Sequence, residues 1–248
     1  NIIMWKWIQA FASPRNFYQI SEKIIPWLML PFVMLSLIGL YWGFVVSPAD
    51  YQQGDSVRIM YVHVPAAWMS LFIYVVMAVA SGIGLIWQIK LAHIVAKVSA
   101  PIGAAFTFLA LATGSIWGKP MWGAWWAWDA RLTSELILLF LYLAYISLNN
   151  AFDNSKTADK AAAVLAIVGL VNIPIIYYSV EWWNSLHQGS SINMTKVSMQ
   201  IDMFIALMLM SFAFKFLYGA LVLMRARDET LIREQNSRWV RAVVEENK

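Results

Sequence analysis

The sequence predicts an all-α integral membrane protein with six transmembrane helices and a tryptophan-rich loop on the outward side. Three observations carry this. The 248 residues are 60% hydrophobic and only 13% charged, with a mean hydropathy of +0.60, and a soluble domain has no use for so much apolar surface. Six apolar runs each approach the ~20 residues needed to cross a hydrocarbon core. The cations are distributed unevenly over the connecting segments.

The runs lie at about 27–46, 66–88, 98–117, 131–149, 161–180 and 201–224. Helix is the expected state for each, because an open sheet would leave backbone groups unpaired in lipid. Pro31 lies early in the first run and bends at most its opening turns. Pro65 opens the second, where a missing N–H costs nothing. Asp129 precedes the fourth and can cap its free N–H groups. Pro174 lies inside the fifth and predicts a kink. The chain reads as one membrane domain over 1–248, with a tail from 225 to 248 whose alternating charges suggest a solvated helix. Residues 1–23 do not read as a cleavable signal peptide, since they hold no apolar core ending in a small-residue site.

One set of loops and tails receives Lys6, Arg15, Lys23, Lys90, Lys97, Lys156, Lys160, Arg225, Arg227, Arg233, Arg238, Arg241 and Lys248, which is 13 cations. The other set receives four, Arg58, Lys119, Arg131 and Lys196, with Lys215 inside the sixth run. By the positive-inside rule both termini are cytoplasmic. The loops at about 47–65, 118–130 and 181–200 then face outward, which in a bacterium is the periplasmic side. The net charge of +4 follows from this topological bias and does not point to nucleic acid. Cysteine is absent, which excludes disulfides, thiolate metal sites and a Cys nucleophile.

The second outward loop holds Trp122, Trp125, Trp126 and Trp128, closed by Asp129. A belt of interfacial anchors spreads its indoles over many helix ends. Four in one loop build a surface for a flat apolar ligand. A short helix over 122–128 would place Trp122, Trp125 and Trp126 on one face, with Trp128 elsewhere. The other two outward loops each hold a histidine, His63 and His187, whereas His93 lies between Lys90 and Lys97 on the cytoplasmic side. Two neutral imidazoles can supply both axial positions of a haem iron, so haem b is the expected cofactor. Indole faces would cover the porphyrin. Arg58, Lys119 and Arg131 are available to its propionates. Arg131 is equally placed to pair with Glu135 one turn on, and Glu135 needs a partner in an apolar segment. Asp129 is an N-cap or a group that orients the ligand's surroundings. No P-loop, G-x-G-x-x-G or nucleophile elbow is present, so any ATP-driven step must come from another chain.

Trp122 to Asp129 matches the WGxWWxWD signature at every fixed position. On these residues the chain resembles the haem-handling WWD membrane family. The flanking Gly118-Lys119-Pro120-Met121 and Ala130-Arg131-Leu132-Thr133-Ser134-Glu135, with Tyr61-Val62-His63-Val64-Pro65 and Glu181-Trp182-Trp183-Asn184-Ser185-Leu186-His187-Gln188-Gly189, narrow the resemblance to the CcmC family of cytochrome c maturation system I. The resemblance implies iron ligation by His63 and His187 and a porphyrin edge held by the Trp loop. It implies haem presentation to the periplasmic chaperone CcmE for covalent attachment. It also implies a bacterial inner-membrane complex with CcmD and the ABC transporter pair CcmA and CcmB. Two other readings compete: a cytochrome c synthase of the WWD type, and a non-haem transporter of an amphipathic solute. Synthases usually carry further histidines in their membrane segments, which this chain lacks.

Overall fold

The computed structural model describes residues 13–183, 185–187 and 198–246. Residues 1–12, 184, 188–197 and 247–248 lie outside this description, Lys6, Lys196 and Lys248 among them. Helix is the only extended regular structure among the described residues, and six spans are long and apolar enough to cross a membrane. This is a multi-pass α-helical membrane protein.

Helix α1, Pro14–Tyr41, starts with proline in its first turn and widens into a π-helical turn over Trp42–Val46. It buries few side chains and runs along the last long helix, leaving most of its surface for lipid. Helix α2, Met60–Trp87, follows a 3-10 turn at Asp55–Ile59 and ends on Gln88 in the left-handed conformation (φ 55°). Helix α3, Lys90–Trp122, lies against α2 along much of its length. It stops at Gly123, whose φ of 78° closes the helix with an N–H to Lys119 O bond of 3.1 Å. Only glycine adopts that φ without strain.

Helix α4, Ala130–Asn150, begins where Asp129 Oδ1 accepts from Leu132 N at 2.8 Å, as an N-cap does. The fifth span is broken into α5, Ser155–Gly169, and α6, Asn172–Trp182. The interruption at Leu170 and Val171 comes just before Pro174. A proline there has no N–H for the carbonyl of residue 170, so the break falls one turn upstream of the proline itself. Asn172 Nδ2 bridges the break to α4 by donating to Ser134 O at 3.0 Å. Helix α7 is Ile201–Arg233 and α8 is Arg238–Glu246.

Several boundaries differ from the sequence reading. Helix α2 starts at residue 60, so His63 sits inside its first turns and is buried, not in a loop. Helix α3 starts at residue 90, so His93 is a helical residue. The tail is not simply solvated. Helix α7 carries it to Arg233, whose guanidinium grips Asp159 at 2.6 and 2.9 Å and takes Glu229 at 2.7 Å, while Lys97 reaches Glu229 at 2.7 Å. Val240 of α8 is buried, and Trp239 rests against Tyr18 of α1 at 5.9 Å between ring centroids. Charge pattern alone cannot show that a polar run finds partners on other helices.

Candidate functional site

An apolar cavity with about 760 Å³ of free space, its open mouth included, lies at the end of the bundle opposite this ion-pair cluster. Helix α3 supplies the longest wall: Ala110, Gly114, Trp117, Gly118, Met121 and Trp122. These positions recur at helical spacing, so a single face of α3 lines the cavity. Helix α2 adds His63 and Ala67, α4 adds Arg131, Leu132 and Glu135, and the loop before α2 adds Gln53. His187 closes the set from the segment after α6.

His63 is held by α3. Its Nδ1 lies 3.0 Å from Ala110 O and 3.2 Å from Thr113 Oγ1. The carbonyl can only accept, so the network assigns the proton to Nδ1 and leaves the lone pair on Nε2. The ring has room because residue 114 is glycine: a Cβ there would stand 2.8 Å from His63 Cε1. Trp117 meets the imidazole edge-on at 5.6 Å, and its Nε1 donates to Gln53 Oε1 at 3.0 Å, pinning the loop over the cavity.

His187 is placed by a relay from the tryptophan loop. Asp129 Oδ2 accepts from the Ser185 hydroxyl at 2.5 Å, and Ser185 Oγ accepts from His187 N at 3.0 Å. Asp129 is thus both the N-cap of α4 and the anchor of the His187 segment. The sequence reading set the N-cap against a group that orients the ligand's surroundings, and did not foresee the bond to Ser185. The result is two imidazoles facing one cavity, with ring centroids 6.3 Å apart and planes inclined by 32°. Trp122 stands beside His187 at 6.2 Å.

The remaining sequence candidates separate. Residues 123–129 form bends and coil, not the short helix that would have aligned three indoles. Of the four tryptophans only Trp122 lines the cavity. Trp125 is 58% exposed and Trp128 is 78% exposed, with Trp126 packed edge-on against Trp128 at 5.4 Å. Arg58 is engaged elsewhere: it binds Gly43 O at 2.5 Å, Ser47 O at 3.0 Å and Asp55 at 2.9 Å, tying the π-helical end of α1 to the 3-10 turn. Lys119 donates to Gly123 O at 3.0 Å. Arg131 does line the cavity, with Nη1 on Ile176 O at 2.8 Å. It makes no ion pair with Glu135 among the described contacts. Glu135 takes its bond from the Ser70 hydroxyl at 2.6 Å instead.

Sequence reasoning missed Trp117, Met121 and Gln53. The first two were findable by extending the helical spacing of Trp122 back along α3. Gln53 was not, since only the fold brings its loop over the site.

The fold and the cavity together define a polytopic helical membrane protein with an apolar cavity into which two imidazoles face. Comparison with known sequences agrees. The model of the heme exporter protein C family, CcmC, matches residues 7–241. Heme exporter protein C of Escherichia coli K12 is 52% identical over 243 residues, covering 97% of this chain and 98% of that protein. Its namesake in Haemophilus influenzae is 50% identical, covering 98% and 99%. A putative cytochrome c biosynthesis ccmC-like mitochondrial protein of Marchantia polymorpha is 47% identical over 194 residues. The chain belongs to the heme exporter protein C family.

Proposed function

We propose that this protein handles haem in cytochrome c maturation. It binds haem b at its outward face, between His63 and His187, and presents it to the chaperone CcmE for covalent attachment. Family membership supports the general activity. The carrying observation for the site is the pair of imidazoles 6.3 Å apart across an apolar cavity. An iron about 2 Å from each coordinating nitrogen holds two imidazole centroids roughly 6 Å apart. The donor set also fits: no cluster of three or more His, Asp or Glu ligands exists among the described residues, which suits a metal that brings its own equatorial nitrogens.

In this reading the cargo supplies the iron and a vinyl-bearing porphyrin edge for attachment. His63 holds one axial position, with its tautomer set by Ala110, and His187 the other. Trp117 and Trp122 shield the disc. Arg131 is the cation nearest a propionate. Trp125, Trp126 and Trp128 form the rim, where porphyrin edge and chaperone would meet. The protein sits in a bacterial inner membrane with both termini cytoplasmic and works with CcmD and the CcmA–CcmB transporter. Reporter fusions at residue 248 and within 118–123 are expected to give opposite signals.

The test is the visible spectrum of the purified chain from haem-replete cells. A Soret band with the bands of six-coordinate low-spin iron is the expected result. A preparation with no Soret band, and none on adding haem, overturns the reading and favours a non-haem transporter.

A further inference from the structure

The sequence sets one cation deep inside an apolar run, Lys215, and the fold leaves it exposed on the flank of the bundle. Lys215 lies on α7, roughly 21 Å along the axis from Ile201 and roughly 15 Å from Arg225. That is mid-span, and the side chain is too short to carry its ammonium to either interface. Nζ stands 5.2 Å from the centre of the Phe212 ring, one turn away. It pairs with no carboxylate among the described residues. A cation at this depth is expensive in lipid and is normally met by an opposite charge or by water inside a bundle.

Lys215 also lines a groove. With Ser211 it forms one side, and Pro65, Trp68, Met69 and Phe72 of α2 form the other, around about 520 Å³ of free space with the open side included. Trp68, Phe72 and Phe212 are exposed along it. The groove and the histidine-lined cavity lie on opposite faces of α2: His63 and Ala67 face the cavity, Trp68 and Phe72 the groove. Exposed apolar side chains on a spanning helix ask only for lipid. The ammonium among them asks for an anion, and three sources could bring one. A lipid phosphate lies outside a hydrocarbon core ~30 Å thick, about half that thickness from Lys215. A second copy of this chain has no carboxylate to offer, since the only one deep in an apolar run is Glu135, buried in its own bundle. A membrane helix of another chain can carry a carboxylate to that depth.

We propose that the groove between α2 and α7 receives a transmembrane helix of another chain, which brings an Asp or Glu to the depth of Lys215. The aromatic rims of Trp68 and Phe72 supply the packing that holds membrane helices together, and the ion pair fixes depth and register. Ser211 offers a hydroxyl on the same side of the groove for a second polar contact, although in the unpartnered chain it returns to Leu207 O at 2.7 Å. This surface does not depend on the haem reading.

The experiment is photo-crosslinking of the full-length chain in its native membrane, with a benzoyl-phenylalanine in place of Phe72. The expected adduct is one other membrane protein, joined through an apolar span that holds an Asp or Glu. Lys215→Leu suits the bilayer and should insert normally. It is expected to lower the adduct yield roughly tenfold, the weight of one polar contact between membrane helices. Lys215→Arg keeps the charge and should keep the adduct. Lys215→Glu should abolish it, and changing the partner's acid to Lys in the same cells should bring it back. Adducts with lipid alone, with a second copy of this chain, or with a span lacking any acid overturn the proposal. So does the absence of any adduct, an equal yield in Lys215→Leu, or failure of the exchanged charges to restore it. None of these outcomes bears on the visible spectrum, so the haem reading stands or falls separately.

Discussion

The two ends of the bundle treat charge in opposite ways. At the end carrying Arg233, buried charges pair with one another: Asp159 and Glu229 converge on one guanidinium, and Lys97 adds a second cation to Glu229. At the end carrying the cavity, Arg131 and Glu135 stand one turn apart on α4 and do not pair, each satisfied in part by a neutral group. The first arrangement fastens α3, α5 and α7 together and leaves little for a ligand. The second leaves charge facing an apolar cavity. Burying an ion pair rarely adds much to stability, but removing one partner is expensive. Fold and function are therefore expected to fail separately at the two ends.

The largest effect is expected from the histidines. His63→Gly or His187→Gly removes an axial ligand and leaves an imidazole-sized gap, so the low-spin spectrum should be lost and added imidazole should restore it. Visible spectra with and without imidazole check this. Unaltered low-spin spectra in both variants before imidazole is added would overturn the ligand assignment. Stability should change little in His187→Gly, whereas His63→Gly also removes a buried helical side chain bonded to Ala110 O and is expected to cost about 1–2 kcal/mol.

Arg233→Ala should do the reverse. It strands a buried Asp159 and is expected to cost about 3 kcal/mol of stability, read as a lower unfolding midpoint in detergent, while the haem spectrum holds. Adding Asp159→Asn should recover part of the loss, since the two changes act on one interaction. Equal losses in the single and double variants would show that the bidentate pair is not the cause.

A smaller effect separates two tryptophans of one loop. Trp122 lines the cavity and Trp128 is 78% exposed. Trp122→Ala should weaken haem retention by about 2 kcal/mol, roughly thirtyfold, and imidazole should not rescue it because nothing is missing at the iron. Trp128→Ala should leave retention by the isolated protein unchanged. Equal losses in a haem-transfer titration would mean that the whole loop closes over the cargo.

The smallest effect tests the relay between the loops. Ser185→Ala breaks the link from Asp129 to His187 and should cost about 1 kcal/mol, seen as severalfold faster haem loss with low-spin bands retained. Asp129→Asn keeps the geometry of the cap but weakens its charge-assisted bonds, and should fall in the same range.

Much of this was legible in the amino-acid order. Apolar runs near membrane length read as spanning helices because lipid leaves backbone groups no other partner. Asp129 read as a cap and Pro174 as a kink because both effects act within one turn of chain, though the structure goes further and splits the fifth span into two helices. The WGxWWxWD motif pointed to the family because it is local and dense. Boundaries were less legible. The helix that carries His63 begins several residues before its apolar run, since burial against α3 outweighs hydropathy.

What the sequence by itself determined about this protein is its class, its spans and the residue types held near one face. The tertiary structure alone decided which of them meet. It turned Trp122 toward the cavity and left Trp128 outside, engaged Arg58 on the end of α1, gave Glu135 to Ser70 of α2 rather than to its neighbour Arg131, and brought His187 to within 6.3 Å of His63. The reason is physical. Helix formation and capping are settled by interactions a few residues apart. The partners of a buried polar group are settled by whichever helix packs beside it, and here those partners lie tens of residues away in the chain.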